Sequence, residues 1–588
     1  MAHPLALPNS WKWIHTPIKK ILCLDKLETI YDSFRKQTKI VQTKNNNALL
    51  DYALKFLNID SDWQYQERFN EIPSSGALII VANHPLGGLE GMLIAQTMLK
   101  IRPDLKVLTN KLLLRFPEFE NLFVGVDVLN QSAQQKNRGG LLTITRHLKQ
   151  GGALLIFPAG TVAHQSLTQK ELIEQPWNRI VGNLMMKYQC PCQPIFVEDK
   201  NSRGFYLSHY IHKRLRTALL GRAMISKQNQ NIKMHLGQLI EAKEIKSIDC
   251  PTKLTEYIKT CCELLTIENK PSVKSPLNQK TIRADIKEHL LLKELQQLQS
   301  YELFSSHQFR VICAPYDALG CVMEQIAISR ERTFRAVDEG TGKELDNDCF
   351  DPFYWHLFIW DNEKNKLVGG YRLGKVDEII AQHGIENLYS QSMYHYENKF
   401  IQSLAGSVEV GRSFVTEEYQ RHSKVLDLLW KGIGRFMAKN PKYHTLFGCV
   451  SISKSYSKLA QAFLADSLLK HFNAKTDVIS QVQPKLPLDV KNKPWDENLI
   501  KMFSSLPIIN KLLGRIDSGK TIPILIRHYL ALNGKFASFC VNQSFNDSLD
   551  GLIIVDLRIT PEKYLRRYLG EEGAEKFTKK WGEYEAVA

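Results

Sequence analysis

The stretch Ser75-Gly-Ala-Leu-Ile-Ile-Val-Ala-Asn-His-Pro-Leu-Gly-Gly-Leu-Glu-Gly91 decides the fold of the first half of the chain. Ala77 to Ala82 is an unbroken apolar run, short enough for a strand buried on both faces. It delivers Asn83 and His84 to a glycine-rich turn containing Gly87 and Gly88, and Glu90 stands at the start of a helix. A histidine and a carboxylate brought together at a strand end are the parts of a general base and its orienter. Histidine takes a proton near neutral pH, and a carboxylate on its far nitrogen fixes the tautomer. Such a pair activates a hydroxyl or an amine for attack on an acyl group. A structural histidine in an ordinary strand-to-helix loop is the alternative that this stretch alone leaves open.

Two further stretches repeat the grammar. Gly151-Gly-Ala-Leu-Leu-Ile-Phe-Pro-Ala-Gly-Thr161 is an apolar run followed by a turn through Phe157, Pro158, Ala159, Gly160 and Thr161. Cys190-Pro-Cys-Gln-Pro-Ile-Phe-Val197 is a third short strand. Strands that alternate with helical segments and end in Gly or Pro turns predict an α/β layer with its site at the strand ends.

On these residues, the region from about 70 to 245 resembles the glycerolipid acyltransferases of the lysophosphatidic acid acyltransferase type. Asn83-His84 matches the Asn-His of that family's first block, Phe157–Thr161 its Phe-Pro-Glu-Gly-Thr block, and Gln193-Pro194-Ile195 its Pro-containing strand. There are two departures. The family's His-x4-Asp spacing is His84-x5-Glu90 here, and its Glu and Arg in Phe-Pro-Glu-Gly-Thr-Arg are Ala159 and Val162. In the family those two positions help hold a phosphorylated acceptor. Losing the guanidinium, the usual bidentate phosphate ligand, implies an acceptor without phosphate. The resemblance makes His84 the base and Glu90 its orienter. Asn83, the Gly87-Gly88 turn and the Phe157–Thr161 turn then supply backbone N–H groups to the oxyanion and the acyl thioester.

At 588 residues the chain is too long for one core. No apolar run approaches the ~20 residues that span a bilayer, and the N-terminus has no signal-peptide pattern. The formal charge is +16, of which residues 1–275 carry +13 and residues 276–588 carry +3. Much of the excess is Arg203, Lys213, Arg214, Arg216, Arg222 and Lys227, interleaved with aromatics and leucines. That pattern suits an anionic membrane surface or an acidic protein partner; a solvated helix face is the plain alternative. No zinc-finger or RNA-recognition signature accompanies the charge, so nucleic acid is not an expected partner. The eleven cysteines show no CxxC pair, which points to a reduced chain with no metal site. Residues 1–69 read as helical. Trp11 and Trp13 lie either at a membrane interface or in a helix packed on the first domain. Residues 70–264 form the first domain, 265–300 a linker and 301–588 a second domain.

The second half reads as α+β. Phe309–Cys313 is a strand and a helical segment runs to about Asp338. Trp355–Trp360 and Lys366–Leu373 flank a polar hairpin turn, and Ser407–Val415 leads into a helix through Trp430 and Phe436. This half resembles the ornithine N-acyltransferases, distant relatives of the acyl-homoserine lactone synthases and of the N-acetyltransferase (GNAT-like) fold. The resemblance rests on Arg330-x3-Phe334-Arg335, Asp348-Cys-Phe-Asp351, His356-Leu357, Val368–Arg372, Glu409-Val-Gly-Arg412, Trp430 and Phe447–Ser451. Acetyltransferases cradle coenzyme A pyrophosphate in a glycine-bearing turn. The comparable Gln420-Arg-His-Ser-Lys-Val425 has no glycine, which favours an acyl-carrier-protein donor.

The two halves in this order resemble the bifunctional ornithine-lipid synthases of bacteria. The implied fold is an α/β acyltransferase domain followed by an α+β acetyltransferase-like domain. The implied reactions are N-acylation of ornithine with a 3-hydroxyacyl group by the second half, then O-acylation of the resulting lyso-lipid by the first. In the second half Glu409 is the expected base for the amine, with Arg372 and Arg412 holding a carboxylate or positioning Glu409. Asp348 and Asp351 are expected to bind the cationic amino acid or to cap a loop, and Arg330 and Phe334 complete the set. No cofactor is expected. The expected location is peripheral, on the cytoplasmic face of the inner membrane. Glycine, lysine or glutamine remain open beside ornithine. So do a glycerolipid acyltransferase with a non-catalytic second half and a haemolysin-like membrane-binding protein.

Overall fold

The computed structural model divides the chain into two units, Met1–Glu268 and Asn269–Ala588. It describes residues 3–5, 15–40, 47–126, 134–165, 172–206, 218–266, 279–491 and 493–582. In the first unit a seven-stranded sheet is built from β1 (Asp60–Gln64), β2 (Leu78–Ala82), β3 (Lys106–Asn110), β4 (Phe123–Val126), β5 (Ala153–Ile156), β6 (Cys192–Val197) and β7 (Asn231–Leu236). Their order is β1-β7-β6-β2-β5-β3-β4. The three strands legible in the sequence sit together at its centre: β2 pairs in parallel with β5 on one side and β6 on the other. All five residues of β2 are fully buried, as a parallel strand covered on both faces requires.

Helices α1 (His15–Leu22), α2 (Leu24–Ile40) and α3 (Ala48–Leu57) precede the sheet. Ile30 and Phe34 of α2 and Leu50 and Leu54 of α3 enter the same core as Ile80, Leu93 and Ile195. This part of the N-terminal segment therefore packs on the first unit; Trp11 and Trp13 lie outside the described residues. The segment is not helical to residue 69. Asp60–Gln64 is an edge strand, invisible as one because Asp-Ser-Asp-Trp-Gln buries only Trp63. Helix α4 (Gly88–Leu99) leaves β2, and α5 (Gln134–Lys149), α6 (Ile180–Tyr188), α7 (Leu220–Ile225) and α8 (Pro251–Glu263) complete the layers.

The second unit holds an eight-stranded sheet: β8 (Glu302–Ser306), β9 (Phe309–Pro315), β10 (Trp355–Asp361), β11 (Lys366–Lys375), β12 (Ser407–Val415), β13 (Thr445–Ile452), β14 (Lys535–Asn542) and β15 (Ser548–Asp556), in the order β8-β9-β10-β11-β12-β13-β15-β14. Helix α9 (Glu288–Gln297), from within the expected linker, puts Leu291 and Leu295 into this unit's core. Helices α10 (Cys321–Ala336) and α11 (Val425–Lys439) pack on the sheet.

Every neighbouring pair in this sheet is antiparallel except β12 and β13. Those two run parallel and are paired only over Ser407–Glu409 and Thr445–Phe447. The parallel ladder stops at Glu409. The β11–β12 register also shifts between Gly370 and Arg372, and Arg412 takes φ +51°. A non-glycine residue in the left-handed region at a bulge re-aims its side chain at a cost of about 1–2 kcal/mol.

Candidate active sites

In the first unit β2 ends at Asn83-His84 and α4 begins at Gly88. His84 Nδ1 lies 2.9 Å from Glu90 Oε1, with side-chain exposures of 17% and 0%. The same oxygen accepts the backbone N–H of Leu86 at 3.0 Å and of Gly87 at 2.8 Å. The longer His-x5-Glu spacing thus puts the carboxylate at the third position of the helix, where it caps the N-terminus while facing the imidazole. Phe157 packs on the other side of the ring, 4.6 Å between centroids.

The turn carrying His84 is clamped by residues the sequence did not flag. Glu174 accepts the His84 backbone N–H, and its second oxygen accepts Trp177 Nε1 at 2.9 Å. The His84 carbonyl accepts from Ala163 N at 2.9 Å. Asn201 Nδ2 donates to the carbonyls of Pro85 and Leu86, and Tyr206 donates its hydroxyl to Pro85. These partners are far away in sequence, and no local pattern marks them.

One expectation changes here. The Asn83 side chain is a structural lock, its Oδ1 accepting Val197 N at 2.7 Å and its Nδ2 donating to Val197 O at 3.0 Å, which ties β2 to β6 and leaves the expectation for its backbone N–H as it was. Gly160 spends its N–H on Phe157 O at 3.0 Å, and Gly87 spends its own on Glu90. The first-turn amides of α4, which have no partner within a helix, suit an oxyanion at this end. The helix is open there, since a Cβ on Gly88 would meet nothing within 4 Å. Pro158 is buried, and its carbonyl accepts from Asn178 N at 3.0 Å. Thr161 is half-buried beside it.

Ala159 and Val162 are buried, and Val162 packs with Phe205, Tyr206, Ala223 and Leu220. A Cβ on Gly87, at φ +99°, would lie 2.3 Å from Leu220 Cδ2 and 3.4 Å from Val162 Cγ2. Where the family's arginine stands there is an apolar wall. The basic segment is also partly spent: Lys227 is buried and ion-pairs with Asp199 at 2.7 Å. Lys213, Arg214 and Arg216 lie outside the described residues.

In the second unit, Arg330, Arg372 and Arg412 interlock with Asp346, Asp348 and Asp351. Arg330 grips Asp351 with both terminal nitrogens, at 2.9 and 2.7 Å, and also donates to the Asp346 carbonyl. Arg372 Nη1 donates to Asp348 at 2.6 Å and to Asp351 at 3.0 Å, and Arg412 Nη2 donates to Asp348 at 2.8 Å. Burial pushes the Asp351 carboxyl up, but Arg330 and Arg372 outweigh it and hold it well below the usual carboxylate range. Asp348 is likewise lowered against burial by Arg372 and Arg412. Asp348 Oδ1 also accepts the backbone N–H of Phe350 and Asp351. Burial pushes His356, whose Nε2 lies 3.1 Å from the Asp351 carbonyl, down to about 4.

The expectation that Asp348 and Asp351 receive a cationic amino acid is therefore corrected. The loop-capping reading holds for Asp348, and both carboxylates are already neutralised by arginine. Arg330 is an ion-pair partner 1% exposed and not a substrate ligand. Phe334 is a core residue set edge-on to Phe545 at 5.3 Å.

Glu409 is 2% exposed. It accepts the Tyr354 hydroxyl, Tyr389 N at 3.1 Å and Ser390 N at 2.8 Å. Burial and then the Glu409 charge push the Tyr354 phenol well above its ordinary value, so it stays a donor. A base must reach the proton it takes; Glu409 is occupied holding the Tyr389–Ser390 loop. Arg372 and Arg412 do not position Glu409 directly. Both stack on Tyr389, each 5.0 Å from its ring centre.

Residues 61–266 match the family described as Acyltransferase, and residues 329–431 match the Acetyltransferase (GNAT) domain. Glycine N(alpha)-acyltransferase of Phocaeicola vulgatus is 31% identical over 303 residues, covering 48% of this chain and 91% of the relative. The enzyme of the same description from Bacteroides thetaiotaomicron is 30% identical over 301 residues, covering 48% and 87%. The chain belongs to the acyltransferase family of these relatives. It is an acyltransferase with an acyltransferase-type domain followed by a GNAT-type domain. Among solved structures, the 1-acyl-sn-glycerophosphate acyltransferase PlsC of Thermotoga maritima is similar to 43% of this chain over 96% of its own, at 15% identity and TM-score 0.26. The CoA-dependent acyl-homoserine lactone synthase MesI is similar to 47% over 98%, at 11% identity and TM-score 0.22.

Proposed function

We propose that this acyltransferase makes a di-acylated aminolipid in two steps. The second unit N-acylates an α-amino acid with a 3-hydroxyacyl chain, and the first unit O-acylates the 3-hydroxyl of the product. The observation that carries the reading is the co-occurrence of a His84–Glu90 pair beside an apolar wall with a GNAT-type domain, in a chain whose relatives are named glycine N(alpha)-acyltransferases. Among the described residues the wall packed on Val162 is apolar, which suits an acceptor without phosphate, as a lyso-aminolipid is.

Glycine is the preferred acceptor. The relatives carry that name, and Asp348 and Asp351, the carboxylates that ornithine's side chain was expected to meet, are spent on arginines. Acyl carrier protein is the preferred donor. The exposed Arg421 and Lys424 before α11 suit an acidic carrier, and the turn there lacks the glycines of a pyrophosphate cradle. Among the described residues no helix is long and apolar enough to cross a membrane. Both products are lipids, so the enzyme meets a bilayer surface, and the +16 charge suits an anionic one. We place it peripherally on the cytoplasmic face of the inner membrane.

The test is expression in a host lacking aminolipids, with mass spectrometry of lipid extracts. Wild type is expected to yield the di-acylated aminolipid, and His84→Ala to stop at the mono-acylated amide. A di-acylated product from stably expressed His84→Ala refutes the ester assignment, and ornithine in place of glycine in the headgroup refutes the preferred acceptor. Retention in the membrane pellet through both high salt and alkaline carbonate refutes the peripheral location.

A further inference from the structure

One edge of the second unit carries unpaired cations around two exposed apolar side chains. β12 and β13 run parallel, so the chain leaves both strands at the same edge of the sheet. The first exit leads through Arg421 and Lys424 to α11, and the second through Lys454 to helix α12 (Lys458–His471). The second exit is tied to a third segment: Tyr456 donates its hydroxyl to Thr521 O at 2.7 Å, and Lys520 Nζ donates to Ser455 Oγ at 3.0 Å. Just beyond Thr521, Ile524 opens helix α13 (Ile524–Ala531).

Ile524 is 64% exposed. Val337, 44% exposed, stands on the same rim, where its carbonyl accepts Ser453 Oγ at 2.7 Å. Arg421, Lys424, Lys458 and Arg527 are exposed and ion-pair with nothing among the described residues. Lys454 is spent on Asp547 at 3.2 Å, and the nearby Glu418 is held by Lys364 and Lys366. Arg421 and Lys424 precede the first turn of α11 and Lys458 opens α12, where the helix dipole is already positive. These cations gain nothing from their own helices. The edge therefore carries a positive field that an acidic partner offsets.

Solvent reaches into the sheet on the way to this edge. The parallel pairing ends at Glu409 and Phe447. β12 and β13 are inner strands, yet Gly411, Arg412 and Ser413 on one and Cys449 and Ser451 on the other are half-buried. A Cβ on Gly411 would meet nothing within 4 Å beyond its chain neighbours.

An apolar spot ringed by charge is the anatomy of a protein interface, with an apolar centre and a polar rim. We propose that this edge is the docking surface for the acyl carrier protein: the acidic carrier sits on Arg421, Lys424, Lys458 and Arg527 with Ile524 as its apolar anchor, and its thioester arm enters beside Gly411. This rests on the reading that the second unit takes its acyl group from a carrier protein.

The test is steady-state N-acylation of glycine by the full-length enzyme with two donors. One is a bacterial acyl carrier protein loaded with a 3-hydroxyacyl chain; the other is the same chain on pantetheine, which has the arm without the protein. Ile524→Asp and the double variant Arg421→Glu/Lys424→Glu should each raise the KM for the carrier donor about 10-fold or more. The glycine KM, the thermal midpoint and the KM for acyl-pantetheine should stay put. The wild-type KM for the carrier should rise with salt, and the charge-reversed variant should lose much of that dependence. Folded variants that keep the carrier KM overturn the docking surface. A KM that rises equally for both donors overturns it too, since that marks damage to the sheet opening and not a lost dock. Loss of binding to phosphatidylglycerol vesicles with the carrier KM unchanged also overturns it and marks the edge as membrane-facing. A wild type that transfers from acyl-CoA but not from the carrier overturns the donor reading, and this inference with it.

Discussion

Glu90→Gln separates the two jobs of one buried carboxylate. Glu90 Oε1 accepts two backbone N–H groups, those of Leu86 and Gly87, and faces His84 Nδ1 at 2.9 Å. Glutamine keeps an oxygen for the amides, so the start of α4 should survive. The two bonds change from charge-assisted to neutral, costing about 1–2 kcal/mol in stability. The effect on chemistry is larger. When His84 takes the acceptor's proton it becomes a cation beside a carboxylate, and at an effective dielectric of ~20 that attraction is about 4 kcal/mol. Losing it slows the step about 10³-fold, within the range that general-base assistance supplies. The assay is ester formation from the mono-acylated amide and an acyl donor, read beside a melting curve. His84 and Glu90 act as one unit, so the double variant His84→Ala/Glu90→Gln should be no slower than His84→Ala. A folded Glu90→Gln variant within tenfold of wild type, or losses that multiply in the double variant, refutes the pairing.

Other outcomes follow from the second unit. Arg330→Met leaves Asp351 buried without its bidentate partner and should cost about 3–5 kcal/mol in urea unfolding; a loss under 1 kcal/mol contradicts the lattice. His356 sits at about 4 when folded against ~6.5 unfolded, so the unfolded chain binds the proton first. Its contribution is full above pH ~6.5 and is lost as pH falls toward about 4; His356→Gln should flatten that part of the profile in urea midpoints against pH. A Cβ on Gly448 would lie 2.0 Å from the Val410 carbonyl, so Gly448→Ala must push β13 from β12 where their backbones touch. It should cost about 1–3 kcal/mol or more in urea unfolding and reduce N-acyl transfer while sparing ester formation; an unchanged urea midpoint contradicts the close approach.

The sheet centres and the His84–Glu90 pair were legible because they are local. An unbroken apolar run sets a buried strand, a Gly-Gly turn follows it, and the carboxylate comes within one helical turn of the strand end. Val162 was legible as a missing arginine, and the structure adds the neighbours that make it a wall. What the sequence hid is pairing at long range. Asp60–Gln64 has no apolar run to betray β1. Asn83 turns to Val197, and Glu174 reaches back to His84, each across a loop whose path no local pattern sets. Arg330, Asp348, Asp351, Arg372 and Arg412 were picked out by residue type and order, but residue type does not say whether a charge is free or already neutralised by another.

That distinction decides which carboxylates can do chemistry. Glu90 and Glu409 are both deeply buried and both hold donors: Glu90 Oε1 accepts two amides and faces the imidazole while Oε2 has no partner among the described residues, and Glu409 accepts a phenol and two amides. A carboxylate so held has its geometry fixed, which makes it a good positioning group. In the first unit the group with an open side is a neighbour: His84, 17% exposed, is the partner of the fully buried Glu90. The proton therefore belongs on His84, and the buried glutamate keeps it in place. In the second unit Glu409 holds the Tyr389–Ser390 loop in the same way, so Glu409→Gln should lower amide formation by loosening that loop, and amide formation abolished with the loop unmoved would refute the positioning role.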